Sequence, residues 1–131
     1  MNPFKKLKAA HTREKAEDYV EMIETLVEEQ GEARLTELAK RFGVSIVTVH
    51  KIIARLQKEN FITTKPYRAL FLTPKGRVLA QKSRERHETV YRFLRSLGVP
   101  ETIAQIDAEG IEHHVSPETL EIFKRYFKKK K

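Results

Sequence analysis

The sequence predicts a mostly α-helical fold carrying one small β wing. Apolar residues recur at helical spacing through most of the 131 residues. Two short runs rich in β-branched and aromatic residues, Phe61–Lys65 and Ala69–Thr73, flank a Pro66-Tyr67-Arg68 turn. Just ahead of them, two short helical patterns are joined by Gly43-Val44-Ser45. Paired helices with a tight glycine turn, followed at once by a basic-tipped hairpin, form the pattern of a winged helix-turn-helix.

Taken in order, residues 1–13 are rich in lysine and read as a mobile basic arm. A helix is expected from Glu14, with Tyr19, Met22, Ile23, Leu26 and Val27 as its apolar stripe, Asp18 and Glu21 on the flank, and Gly31 as its stop. Leu35–Phe42 forms a short helix with Leu35, Leu38, Ala39 and Phe42 inward. Gly43 permits the tight turn, Val44 is expected to plug the angle between the helices, and Ser45 caps the next one. That helix runs from Ile46 to Glu59 on a stripe of Val49, Ile52, Ile53 and Leu56. After the hairpin, Pro74-Lys75-Gly76 opens a long helix from Arg77 to Leu97, polar between Gln81 and Thr89 as befits a connector, and Gly98-Val99-Pro100 breaks it. A further helix is expected over Pro100–Val115, burying Ala104, Ala108, Ile111 and Val115. The last opens at Ser116-Pro117-Glu118, and the lysines of 128–131 read as a disordered tail. The expected organisation is therefore an arm (1–13), a winged-helix head (14–76), a connector with a helical domain (77–127), and the tail.

The net charge of +8 and a pI near 9.8 point to a polyanionic partner, nucleic acid first. Ser45, Thr48, His50 and Lys51, near the exposed start of the second helix of the pair, are expected to face base edges or phosphates. Arg55 and the wing residues Lys65 and Arg68 would hold the backbone; for Lys51 and Arg55 the alternative is plain solvation. The chain has no cysteine, which excludes disulfides, thiolate metal sites and cysteine nucleophiles, so any metal site must use oxygen and imidazole ligands. No apolar run approaches the ~20 residues that cross a bilayer. No hydrophobic segment follows the first lysines, so no membrane partner is expected and a cytoplasmic location is.

Glu109, Glu112 and His113 fall at i, i+3 and i+4, where side chains on a helix are neighbours. Two carboxylates and an imidazole there can form a divalent-metal site, or simply the solvated face of an amphipathic helix. The cluster carries no lysine or arginine to balance its acids. Asp18 and Glu21 make a second close pair, which equally suits ordinary acids early in a helix. His87 lies on the stripe of Val90, Phe93 and Leu94, where a core histidine is the alternative to a ligand.

The order of these pieces resembles one family. Ala-Glu-Asp-Tyr-Val-Glu in the first helix, a winged helix, Arg86-His87-Glu88, then Glu109-Gly110-Ile111-Glu112-His113-His114 is similar to the diphtheria-toxin-repressor family of metalloregulators, in its manganese-transport regulator branch. The likeness spans about residues 14–127. It implies a homodimer with winged-helix heads and a helical dimerisation domain. It also implies a manganese-responsive repressor of metal-uptake genes that binds a pseudo-palindromic DNA operator. By the same resemblance, Asp18, Glu109, Glu112 and His113 hold one Mn2+, and Glu21 and His87 hold a second, with Glu109 and Glu112 shared. The iron-responsive branch has methionine and cysteine where this chain has Asp18 and Glu109, and hard oxygen ligands suit manganese. Fe2+ remains an alternative metal.

Two rivals from other classes stand beside this reading. A winged-helix regulator sensing a small organic ligand would bind DNA regardless of chelators. A metal-dependent hydrolase would need an open coordination position in a substrate cleft, and the chain offers no Gly-rich phosphate loop and no further acid–base pair for one.

Overall fold

The structure is a computed structural model that describes residues 3–64 and 69–129, with the backbone alone over 5–12. Six helices and two strands follow one another as α1 (Pro3–Gln30), α2 (Leu35–Phe42), α3 (Ile46–Lys58), β1 (Ile62–Thr64), β2 (Leu70–Leu72), α4 (Pro74–Ser96), α5 (Glu101–Ile111) and α6 (Pro117–Lys129). The chain divides into two compact units: Glu14–Gln81, and Met1–Arg13 together with Lys82–Lys131.

In the first unit, α1 buries Tyr19, Ile23 and Leu26 against Leu38, Val49, Ile53 and Leu56. Each such side chain taken fully from water contributes about 1.5–3 kcal/mol, so this is the cohesive part of the unit. Gly43 occupies the left-handed region (φ 66°, ψ 35°), and its N–H and that of Val44 close the end of α2 on Lys40 O and Ala39 O. Ser45 accepts from Thr48 N at 3.1 Å and so caps α3. The strands pair antiparallel with Ile62 opposite Leu72 and Thr64 opposite Leu70. Ala33 adds a single bridge to Leu70, a third edge that the sequence pattern does not announce.

Five expectations are corrected, the last of them in the buried stripe of α5 described below. The first helix begins at Pro3, not Glu14. Lys5, Lys6, Leu7, Lys8, Ala9 and Ala10 are good helix formers with no breaker among them, and a proline suits a first turn. Val44 is 40 % exposed and plugs nothing; closure between α2 and α3 comes from Leu38, Ala39 and Val49. Helix α5 stops at Ile111, short of Val115, with His113 and His114 in the turn that follows. Helix α6 continues through Lys129, so Lys128 and Lys129 are helical.

In the second unit, Val90, Ala108 and Leu120 are the buried contacts among α4, α5 and α6, ringed by Tyr91, Leu94, Val115 and Phe123. Phe93 stacks on Phe123 with centroids 4.0 Å apart and meets Tyr126 edge-on. Ser116 caps α6 by accepting from Thr119 N. The buried stripe of α5 is Ala104, Ala108 and Glu112, all without exposure, whereas Ile103, Ile106 and Ile111 are exposed.

Gly76, buried in the first turn of α4, has a role of its own. Its N–H donates to Thr73 Oγ1, and Thr73 Oγ1 donates to Asn60 O at 2.7 Å. A Cβ here would overlap the Phe61 carbonyl and lie 3.3 Å from Leu72 Cβ. Helical glycine-to-alanine changes usually stabilise by about 0.5–1 kcal/mol. Gly76→Ala is expected to reverse that sign and destabilise by about 1–3 kcal/mol, since backbone must move to admit the methyl. Urea unfolding would check it; an unchanged or raised midpoint would refute the packing described.

Candidate metal centre and nucleic-acid face

Three candidate ligands of two types, one imidazole and two carboxylates, meet in the second unit because α4 and α5 present them to one another. His87 lies in α4, Glu109 in the last turn of α5, and Glu112 at its C-cap with helical dihedrals (φ −56°, ψ −31°). His87 Nδ1 is 3.2 Å from Glu109 Oε1 and 3.7 Å from Glu112 Oε1. One donor atom from each of the three lies within 4.8 Å of the others. His113, almost fully buried, brings Nε2 to 3.6 Å from Glu112 Oε1.

Burial bears on the two readings of this cluster. A solvated helix face would leave all its members wet. Glu112 has no exposure, His113 has 1 %, and the His87 side chain is 19 % exposed; only Glu109 faces solvent, at 58 %. Carboxylates are rarely taken out of water without a cation or a donor set to meet them. The chemistry of the set fits a hard divalent cation: carboxylate oxygens with imidazole nitrogen and no sulfur. His87 Nδ1 is buried and has no hydrogen-bond partner.

Asp18 and Glu21 lie in α1 of the first unit, both half-buried. Burial, and then the charge of Asp18, push the Tyr19 phenol above its ordinary value. Glu17, one residue before Asp18, is fully buried. A polar residue inside an apolar stripe was its only sequence signal, and the stripe as read began at Tyr19.

On the nucleic-acid side, Thr48, His50 and Lys51 are exposed along α3. Ser45 is exposed too, but its hydroxyl is occupied by the cap and by Thr48 Oγ1 at 2.9 Å, so its local task is to fix the start of α3. Arg55 is half-buried with Nε 3.9 Å from Glu59 Oε1. Lys65 and Arg68 lie outside the described residues. Sequence reasoning missed the apolar character of the mouth of α3. Ile46 and Val47 are 51 % and 64 % exposed, a surface matched to thymine methyl groups in a major groove. Arg41, by contrast, is committed to Glu29 at 2.9 Å and Glu37 at 3.3 Å.

Comparison with known proteins agrees with both halves. Residues 11–70 match the N-terminal DNA-binding domain of iron-dependent repressors, and residues 73–131 match their metal-binding and dimerisation domain. The chain is 53 % identical over 120 residues to the transcriptional regulator MntR of Salmonella typhimurium, covering 92 % of this chain and 76 % of that one. To the HTH-type transcriptional regulator MntR of Geobacillus kaustophilus it is 44 % identical over 100 residues, covering 76 % and 71 %. Among solved structures, the chain aligns with a manganese-dependent transcriptional repressor in complex with manganese at a TM-score of 0.76 and 30 % identity, covering 86 % of this chain and 52 % of that one. It aligns with the manganese regulator SloR at a TM-score of 0.75 and 25 % identity, covering 86 % and 53 %. The chain thus spans about half the length of those two structures. It belongs to the iron-dependent repressor family, which is the diphtheria-toxin-repressor family, in its MntR branch.

Proposed function

We propose that this chain is a manganese-responsive, DNA-binding repressor acting as a cytoplasmic homodimer on a pseudo-palindromic operator upstream of metal-uptake genes. It is a transcriptional regulator and not an enzyme. The observation that carries the metal reading is the convergence of His87, Glu109 and the unexposed Glu112 within 4.8 Å. The ligand set proposed is Asp18, Glu21, His87, Glu109, Glu112 and His113, for two ions per subunit. Its oxygen-rich composition favours Mn2+, with Fe2+ the nearest competitor. A bound divalent cation would supply the positive charge that offsets the burial of Glu112 and the crowding of the other carboxylates.

In this proposal the residues divide the work. Asp18 and Glu21 belong to the DNA-binding unit and the other four to the second unit; by the family resemblance, metal binding fixes the spacing of the heads. Restricting the heads favours placing two copies of α3 in successive major grooves, ~34–36 Å apart. The shift is limited by the differential affinity of the ion for the two arrangements. Thr48, His50 and Lys51 would meet bases or phosphates, and Arg55, Lys65 and Arg68 the backbone. Ile103, Ile106 and Ile111, exposed on α5, supply an apolar face for the second copy. No described helix is long and apolar enough to cross a membrane.

Operator binding measured with and without Mn2+ tests the function: affinity should rise with the metal and fall on chelation, and equal affinity in both states would refute it. The site assignment has a sharper test in Asp18→Met, which replaces a hard ligand with a soft one. Activation ranked across Mn2+, Fe2+, Co2+ and Zn2+ should lose its preference for Mn2+ and move toward Fe2+ or Co2+. An unchanged ranking would remove Asp18 from the site. For the dimer, Ile106→Asp should yield a folded monomer by light scattering, and a stable dimer in that variant would refute the proposed face.

A further inference from the structure

The His87 ring is held from two sides by one helix. Gln105 and Glu109 stand one turn apart on α5 and so share a face. His87 Nε2 is 2.8 Å from Gln105 Oε1, while Nδ1 points to Glu109 Oε1 at 3.2 Å and Glu112 Oε1 at 3.7 Å. A neutral imidazole carries one N–H and one lone pair, and the groups around the ring decide which nitrogen carries which. Two carboxylates beside Nδ1 attract the proton to that nitrogen, and an Nδ1–H cannot ligate a cation. An acceptor at Nε2 draws it to the far side.

We propose that Gln105 is a positioning residue for the metal centre: its carbonyl accepts from His87 Nε2–H and thereby holds the Nδ1 lone pair toward Glu109 and Glu112. Gln105 touches no ion in this arrangement and acts through the imidazole. Ligating histidines in general donate their other N–H to an acceptor that fixes ring and tautomer, and loss of that acceptor costs about 10–100-fold in metal affinity. Gln105 is exposed, so water competes for Nε2, and its effect falls on the tautomer balance and not on the stability of the fold. Nothing in the helical pattern of α5 reveals this role, since Gln105 reads as an ordinary solvated position until His87 is placed against it.

The inference rests on the metal-regulator reading, and its test separates the two. Long-range 1H–15N correlation on the metal-free protein, at a pH where the ring is neutral, reports the His87 tautomer with no metal present. Isothermal titration with Mn2+ then reports affinity, with thermal melting as a check of folding. The unmutated protein should show the Nε2–H form. Gln105→Leu, and Gln105→Ala as a smaller change, should shift His87 toward Nδ1–H and weaken Mn2+ binding about tenfold at unchanged melting temperature. Gln105→Glu, an acceptor with no N–H, should restore the Nε2–H form. A tautomer indifferent to Leu, Ala and Glu at position 105, or undiminished Mn2+ affinity in the Leu and Ala variants, overturns the role of Gln105 while leaving the regulator reading intact. Failure of the unmutated protein to bind Mn2+ overturns the regulator reading itself.

Discussion

Glu112 puts a carboxylate where water does not reach, at the end of α5, and the second unit must carry that burden. Removing an ionised carboxylate from water costs several kcal/mol even after the protein relaxes. The apolar core available to offset it is small, with Val90, Ala108 and Leu120 buried at its centre. The nearest imidazole nitrogens, His87 Nδ1 at 3.7 Å and His113 Nε2 at 3.6 Å from the same oxygen, lie beyond hydrogen-bond reach and do not supply the offset by themselves. An arrangement that costs this much in so small a unit is typical of sites kept for binding rather than for stability.

Helix α5 can carry the carboxylate inward because of what precedes it. Ala104, Ala108 and Glu112 stand at i, i+4 and i+8, and the two alanines leave no side-chain bulk between α5 and its neighbours. Ending the helix at Ile111 then matters, for the turn beyond it brings His113 alongside Glu112. The winged-helix unit solves a different problem. Its cohesion is chiefly apolar, from Ile23, Leu26, Leu38 and Leu56, while Ile46 and Val47 at the start of α3 stay exposed.

Much of this was legible in the sequence because periodicity and turn chemistry are local. Leu35–Phe42 was readable to the residue from its stripe and from Gly43, and the start of α3 from the Ser45 cap. Of the site, the residue types and the i, i+3, i+4 spacing were visible. The direction in which they point was not. Following apolarity alone put Ile111 inside and Glu112 outside, and the fold does the reverse: Ile111 is 37 % exposed and Glu112 not at all. A hydrophobicity rule cannot find a buried carboxylate, since the energy that holds it there comes from partners distant in sequence. The N-terminal start of α1 was missed for the opposite reason. A run of lysines suggested an arm, although lysine, leucine and alanine favour a helix whatever their charge.

The two faces of α5 also tie the proposed activities together. The inner face ends in Glu112, and the outer face exposes Ile103 and Ile106. Any ligand that binds only the folded arrangement stabilises it by mass action, about 2.7 kcal/mol at a hundredfold excess over Kd. Cation binding on the inner face and subunit association on the outer face therefore draw on the same folded helix. A unit with a slight core and a buried acid gains most from both, so each should strengthen the other even though no residue need take part in both contacts.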